Sequence, residues 1–297
     1  MLDIISKRKI YLGISLALVL ISLFLILFFG LKQGIDLRGG TEWRFKDLSV
    51  KAEEFQEALV EISGLTNLNI KKVGNELVFR LPPIDEKTHQ QYLEELKKRF
   101  GETAVKELSF SSIGPTVGAE LRRKAIWAIF LVLICISFYI AFVFRKTSFR
   151  IKSWKYGLIT LITLFHDVII PTGFLAFLGW WQGIEINVNF IVALLVVVGF
   201  SVHDTIVVFD RIRENLVVNR ERRVSLAEII NYSVNETIAR SINTSLTLIF
   251  VLVALIILGP PSLVYFALTI LIGTVVGTYS SIFVASPLLY VWHKENK

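Results

Sequence analysis

The 297-residue chain has a single cysteine, Cys135, so no disulfide can form within it. Because that thiol lies inside an apolar run, it is expected to be a small packing residue. Charge is also scarce, with 19% of residues charged against about 25% in ordinary soluble domains. No GxxxxGK[ST] pattern occurs, which removes a P-loop nucleotide site. Two short segments, GWWQGIE and GPPS, contain neither Lys nor Arg.

Apolar sequence is what the chain has in excess: 54% of residues are hydrophobic and the mean hydropathy is +0.61. Six runs approach or exceed the roughly 20 residues that a spanning helix needs: 10–31, 125–144, 156–178, 187–209, 242–258 and 262–292. They predict an α-helical polytopic membrane protein of six transmembrane helices with both termini on one side. The first run follows Lys7, Arg8 and Lys9, but its uncharged core is too long for a secretory signal. LKQGIDL also offers no small-residue cleavage site, so the run reads as an uncleaved first helix. The last run exceeds one crossing; it is tilted, interrupted at Gly273, Gly277 or Pro287, or partly outside the hydrocarbon.

The formal net charge of +7 is unevenly spread. Residues 32–124 are almost balanced, whereas Arg145, Lys146, Arg150, Lys152 and Lys155 crowd one short loop. Arg211, Arg213, Arg220, Arg222 and Arg223 crowd another. By the positive-inside rule, the basic loops at 145–155 and 210–240 and both termini are expected in the cytoplasm, and the long segment outside. The basic surplus is thereby explained by topology and anionic lipid in the bilayer, with no nucleic acid as partner. Trp180 and Trp181 at one boundary, and Trp154 and Trp292 at the other, suit interfacial aromatic belts. Three regions follow: 1–31 with the first helix, a domain at 32–124, and five helices at 125–297.

Residues 35–120 read as a compact α+β insert. IDLRGGTEWRFKD alternates as a strand, and Phe55, Ala58, Leu59 and Ile62 recur at helical spacing. LNIKKVGNELVFRLP reads as a hairpin turning at Gly74 and Asn75. A helix from Asp85 is expected to bury Tyr92, Leu93, Leu96 and Phe100, and TAVKELSFSSIG closes as a strand. The order is βαββαβ, as in ferredoxin-like domains. No constellation for catalysis is visible in this insert, so no enzymatic activity and no cofactor is expected. His89, on a helix rich in Glu, Gln and Lys, is expected to be exposed. The glycines of RGGT are expected to let the backbone turn or bulge.

Asp204, beside His203, interrupts the fourth run, and Asp167, beside His166, the third. An ionised Asp at the centre of a membrane helix costs roughly 2.5–3.5 kcal/mol on insertion scales, so such residues usually face a partner or a water-filled path. Neighbouring residues on a helix point about 100° apart, so neither His-Asp pair chelates well, and no metal is expected. A proton path is the better reading, because burial disfavours the charged form of a carboxylate and lets it load and release a proton. Arg240, where the fifth run begins, could oppose that. Thr237, Arg240, Thr244 and Thr247, with Asn243 flanking, align as a polar stripe on one helix face. Ser201 lies one turn from Asp204 on the same face. Ser225 and Glu228 have capping-box spacing, opening a short amphipathic helix expected to lie along the interface before the chain turns inward.

Three motifs, GIDLRGGT at 34–41, SVHDTIVVFDRIREN at 201–215 and NETIARSINTSLT at 235–247, resemble the SecF family, within the resistance-nodulation-division superfamily. The resemblance spans the whole chain, with Gly34, Asp36, Gly39, Gly40 and Thr41 forming the first motif. It implies one half of a pseudo-symmetric twelve-helix unit, with a ferredoxin-like extracytoplasmic domain. It implies residence in the bacterial cytoplasmic (inner) membrane. It implies SecD as partner, the SecYEG channel, SecA and YidC as wider associates, and a preprotein as substrate. Export would be driven by the proton motive force, the aspartate of the proton path falling on Asp204 and the arginine on Arg240. His203 stands where the family commonly has Asn, which leaves proton and sodium both open as coupling ion. The alternatives are a proton-coupled exporter of small solutes or lipids, and a non-transporting assembly subunit.

Overall fold

The computed structural model describes residues 2–46, 52–65, 68–73, 76–102, 104–147, 151–221 and 224–293. The chain divides into two compact units, Gln33–Ala125 and the remainder, Met1–Lys32 with Ile126–Lys297.

The smaller unit begins with a single helical turn, α2 (Ile35–Arg38), after the first long helix α1 (Arg8–Phe29). There follow β1 (Gly40–Lys46), α3 (Ala52–Ser63), β2 (Asn69–Val73), β3 (Glu76–Leu81), α4 (Glu86–Phe100) and β4 (Glu107–Ile113). The sheet order is β2-β3-β1-β4 with every neighbouring pair antiparallel, the arrangement of a ferredoxin-like βαββαβ unit. The expected strand from Ile35 is corrected: residues 35–38 are helical and β1 starts at Gly40. The expected turn at Gly74 and Asn75 lies outside the described residues, as do Arg150, Arg222 and Arg223 of the basic loops. The strands flanking that turn pair in register, Val73 with Glu76.

Period-two alternation aims Trp43 and Phe45 of β1 into the core. There they meet Phe79, and Phe55 and Leu59 of α3, with Leu93 and Leu96 of α4. Phe45, Phe55 and Phe79 contact one another at ring-centroid distances of 5.0–5.6 Å, geometry that favours aromatic pairs beyond simple burial. Asp85 caps α4 by accepting from Thr88 N–H at 3.0 Å.

His89 does not follow its helix's polar composition. It is buried, stacked on Phe110 at 3.8 Å between ring centroids, with Trp43 edge-on at 4.9 Å. Nδ1 lies 3.2 Å from Glu86 Oε1 and Nε2 2.9 Å from Glu107 Oε1. The expectation of an exposed side chain fails because position 89 precedes Leu93 and Leu96 by one and two turns and shares their inward face.

The other unit is built from long helices: α1, α5 (Pro115–Val143), α6 (Ser153–Gln182), α7 (Val188–Val218) and α8 (Leu226–Leu258). The last span comprises α9 (Val264–Ser280), a π-helical turn (Ser281–Ala285) and α10 (Ser286–Trp292). Among the described residues, six helical spans are long and apolar enough to cross a membrane. The last run is interrupted at the π-helical turn and at none of the three positions expected. Gly277 serves instead as a contact, where a Cβ would stand 2.9 Å from Ser201 Cβ of α7. Helices α6, α7 and α9 pack together at the centre, with α1 against α6 and α8 against α7 and α9.

Two further expectations are corrected. Residues 225–238 do not form a separate interfacial helix: α8 runs unbroken from Leu226, its capping box of Ser225 and Glu228 being formed. A polar first turn and an apolar last turn share one axis because no Gly or Pro intervenes. Cys135 is exposed on α5, so it is not a buried packing residue of this chain.

Candidate functional site

Asp167 and Asp204 are both buried inside the bundle. Asp167, on α6, is fully enclosed. Its Oδ1 accepts from His166 Nδ1 at 2.8 Å, and its Oδ2 accepts from Ser201 Oγ of α7 and from Ser280 Oγ of α9 at 2.7 Å. One carboxylate thus gathers donors from three helices. Pro171, one turn on, has no N–H to offer the Asp167 carbonyl, which loosens the α6 ladder at the site.

Asp204 follows Ser201 by three positions on α7. Its Oδ2 accepts from Ser281 Oγ at 3.1 Å, and Ser241 of α8 faces it as well. Neither carboxylate forms an ion pair with Lys or Arg among the described residues, and no cluster of three metal-ligating side chains is found among them.

The two histidines part company. His166 is buried, and with Nδ1 directed at Asp167 its Nε2 has no hydrogen-bond partner. His203 points out of the bundle and is exposed.

The polar stripe on α8 is also divided. Thr237 is buried and donates to the Ser233 and Val234 carbonyls, whereas Arg240, Asn243, Thr244 and Thr247 are exposed. The buried polar row is Ser233, Thr237, Ser241 and Ser245, at i, i+4 intervals. Arg240 sits about 100° from that row, so it does not approach Asp204 within this chain. Thr244 and Thr247 return their hydroxyls to the Arg240 and Thr244 carbonyls, leaving no donor directed inward.

Sequence reasoning missed Ser280 and Ser281. The signal was present: TYSSIFVAS places three serines in an otherwise apolar run.

In the smaller unit, Gly34 caps α2, Asp36 lies in its first turn, and Gly39 and Gly40 take φ of +85° and +133°. A Cβ on Gly39 would stand 2.6 Å from Pro115 Cα, and one on Gly118 2.7 Å from Gly39 N. Residues 38–40 therefore lie backbone to backbone against the start of α5. Thr41 Oγ1 donates to Ser112 Oγ at 2.9 Å and accepts from Ile84 N–H at 3.1 Å, joining β1 to β4.

Among the described residues, six apolar helices, four of which supply the groups around a pair of buried carboxylates, with a small ferredoxin-like unit following the first in sequence, define a polytopic membrane protein with an intramembrane polar site. Residues 92–295 match the family model of "Protein export membrane protein SecD/SecF, C-terminal", and residues 24–42 match the "SecD/SecF GG Motif". The chain belongs to the SecD/SecF family of protein export membrane proteins. It is 42% identical to the protein translocase subunit SecF of Thermobaculum terrenum, over 100% of this chain and 95% of that one. It is 36% identical to the SecF of Anaerolinea thermophila, over 98% and 94%. Among solved structures, the translocon-associated membrane protein SecDF of Thermus thermophilus matches with a TM-score of 0.83 and 33% identity. That match covers 99% of this chain, which spans 39% of the SecDF chain.

Proposed function

We propose that this chain is the SecF subunit of a bacterial protein-export machinery and that, with SecD, it uses the proton motive force to promote late preprotein translocation. Its relatives are named protein translocase subunits, and the solved SecDF joins both names in one chain of which this one covers 39%. SecYEG, SecA and YidC are the wider associates, and both termini lie in the cytoplasm beneath the inner membrane. The observation that carries the reading is the burial of Asp167 and Asp204 with hydroxyl and imidazole partners and with no Lys or Arg paired to either among the described residues. Such groups persist in a membrane core where their protonation is used.

Asp204 is the loading site in this reading, Asp167 its inner neighbour, and His203 a modulator at the exposed side. Arg240, turned outward with Asn243, Thr244 and Thr247, addresses the partner half of the twelve-helix unit. One charge crossing 100 mV supplies about 2.3 kcal/mol, enough to bias a two-state domain by about fiftyfold.

The test uses inverted vesicles with a defined proton gradient and compares wild type, Asp204→Asn and Arg240→Met for completed preprotein export and for SecD association. Normal assembly with gradient-stimulated export lost in both variants is expected. Wild-type, gradient-dependent export in both variants would sink the coupling. Running the same vesicles with sodium in place of the proton gradient identifies the ion.

A further inference from the structure

Ser280 and Ser281 stand where α9 passes into the π-helical turn, and both are fully buried. Each hydroxyl has two acceptors. Ser280 Oγ lies 2.7 Å from Asp167 Oδ2 and 3.0 Å from the Gly277 carbonyl. Ser281 Oγ lies 3.1 Å from Asp204 Oδ2 and 3.0 Å from the Thr278 carbonyl. A serine carries one proton, so it can satisfy one acceptor of each pair at a time.

The choice depends on the charge of the carboxylate. An ionised carboxylate is acceptor-only and receives the serine hydrogen bond. A protonated one carries its own O–H, which can point back at the serine oxygen while the serine proton turns to the carbonyl three residues earlier. Both arrangements leave the serine hydroxyl with an acceptor and the carboxyl group with a partner, so the hydroxyls can follow the proton without being stranded in the apolar core.

Adjacency makes the two serines one element. Consecutive side chains on a helix diverge by about 100°, so this single segment addresses Asp167 on α6 and Asp204 on α7 at once. The π-helical turn that follows has its own departures from regular bonding, including Ser286 Oγ donating to the Ser281 carbonyl at 3.3 Å. Such turns are frequent at functional sites within helices.

We propose that Ser280 and Ser281 are positioning residues that join Asp167 and Asp204 into one coupled two-carboxylate unit, each hydroxyl turning to its own backbone carbonyl when its carboxylate takes a proton. The proposal rests on the proton-coupling reading above. The other groups facing the unit are His166 and Ser201 at Asp167 and Ser241 at Asp204, while His203, next to Asp204 in sequence, carries its imidazole outward. Because the two serines are consecutive in one helix, this one segment answers to the protonation of both carboxylates.

The experiment is infrared difference titration of the chain assembled with its SecD partner in lipid vesicles. Asp167→Asn and Asp204→Asn assign the two carboxyl C=O bands. Ser281→Ala is expected to displace the Asp204 midpoint by about one pH unit, about tenfold in proton affinity. It is also expected to move the Asp167 band, and Ser280→Ala to do the reverse. Ser286→Ala, which removes a hydroxyl bonded only to backbone, is the control and leaves both midpoints in place. If each alanine variant moved only its own carboxylate's band, or neither, the coupled unit would be overturned. The bands are read without export, so loss of coupling between them is distinguishable from failure of the gradient-driven reading, which Asp204→Asn tests in vesicles.

Discussion

Gly273 of α9 meets Val197 of α7 with no room for a methyl group: a Cβ built on Gly273 would stand 2.2 Å from Val197 Cγ2. Val197 is itself fully buried, so the isopropyl group has no space into which to retreat. One turn further on, Gly277 meets Ser201, the residue that donates to Asp167. The close approach of α7 and α9 thus sets the depth at which Ser280 and Ser281 reach the carboxylates.

Gly273→Ala is expected to push these helices apart at a cost of about 1–3 kcal/mol, the usual range for overpacking. Thermal denaturation in detergent reads the loss. The paired substitution Val197→Ala should recover part of it by removing the opposing methyl groups. Equal stability of wild type and Gly273→Ala would show that the helices part without cost.

Arg240 is exposed and its guanidinium forms no hydrogen bond or ion pair among the described residues, so Arg240→Met should alter stability by no more than about 0.5 kcal/mol, as other surface substitutions do. Its effect belongs to the assembled export machinery. A cysteine at position 240 in a Cys135→Ser background should crosslink to SecD. Crosslinking only between two copies of this chain would argue against the outward face as the SecD contact.

His89 holds α4 to β4 through Glu107 and the Phe110 ring, and bonds Glu86 within its own helix. Removing it leaves a cavity beside Trp43 and takes a partner from the Glu107 carboxylate. His89→Ala should weaken this unit by about 2–4 kcal/mol. Hydrogen exchange on the intact chain should show protection lost in α4 and β4 and kept in α6 and α7. Unchanged protection in β4 would mean that the imidazole contacts contribute nothing.

The first turn of α4 is expected to loosen in acid. Thr88 hydrogen bonds hold the Asp85 carboxyl below its ordinary range, and Gln90 and then His89 hold Glu86 below its own. A depressed folded-state value means that the stabilisation is complete above the ordinary carboxylate range, about pH 4, and is lost as the pH falls through the depressed values. Exchange at the Thr88 and His89 amides, corrected for the intrinsic rate, should therefore rise between about pH 5 and pH 2. Asp85→Asn should flatten that rise, and an identical profile in the variant would remove the cap as its source.

Much of the architecture is legible along the chain, because each feature has a local cause. Apolar runs of membrane length predict the helices, and alternation in TEWRF predicts β1. Ser225 and Glu228 predict the start of α8. Positions where two readings share one local signal were not legible. His89 lies among Glu, Gln and Lys, yet packs beneath Phe110 because its helix face, and not its neighbours in sequence, decides burial. Arg240 and Thr237 fall on one stripe by spacing, but the bundle buries Thr237 and leaves Arg240 outside. Ser280 and Ser281 stand out in TYSSIFVAS as serines in an apolar run, but nothing in that run says which carboxylates they serve.

By itself, the amino-acid order determined that this chain crosses a membrane six times, carries a βαββαβ insert and spends two carboxylates inside the apolar phase. Hydropathy and periodicity act over a few turns and are written in consecutive residues. Only the tertiary structure decided which hydroxyls serve those carboxylates, because Asp167, Ser201 and Ser280 lie on three helices and meet through packing. The closeness of that packing depends on glycines whose meaning appears only when the facing side chain is known.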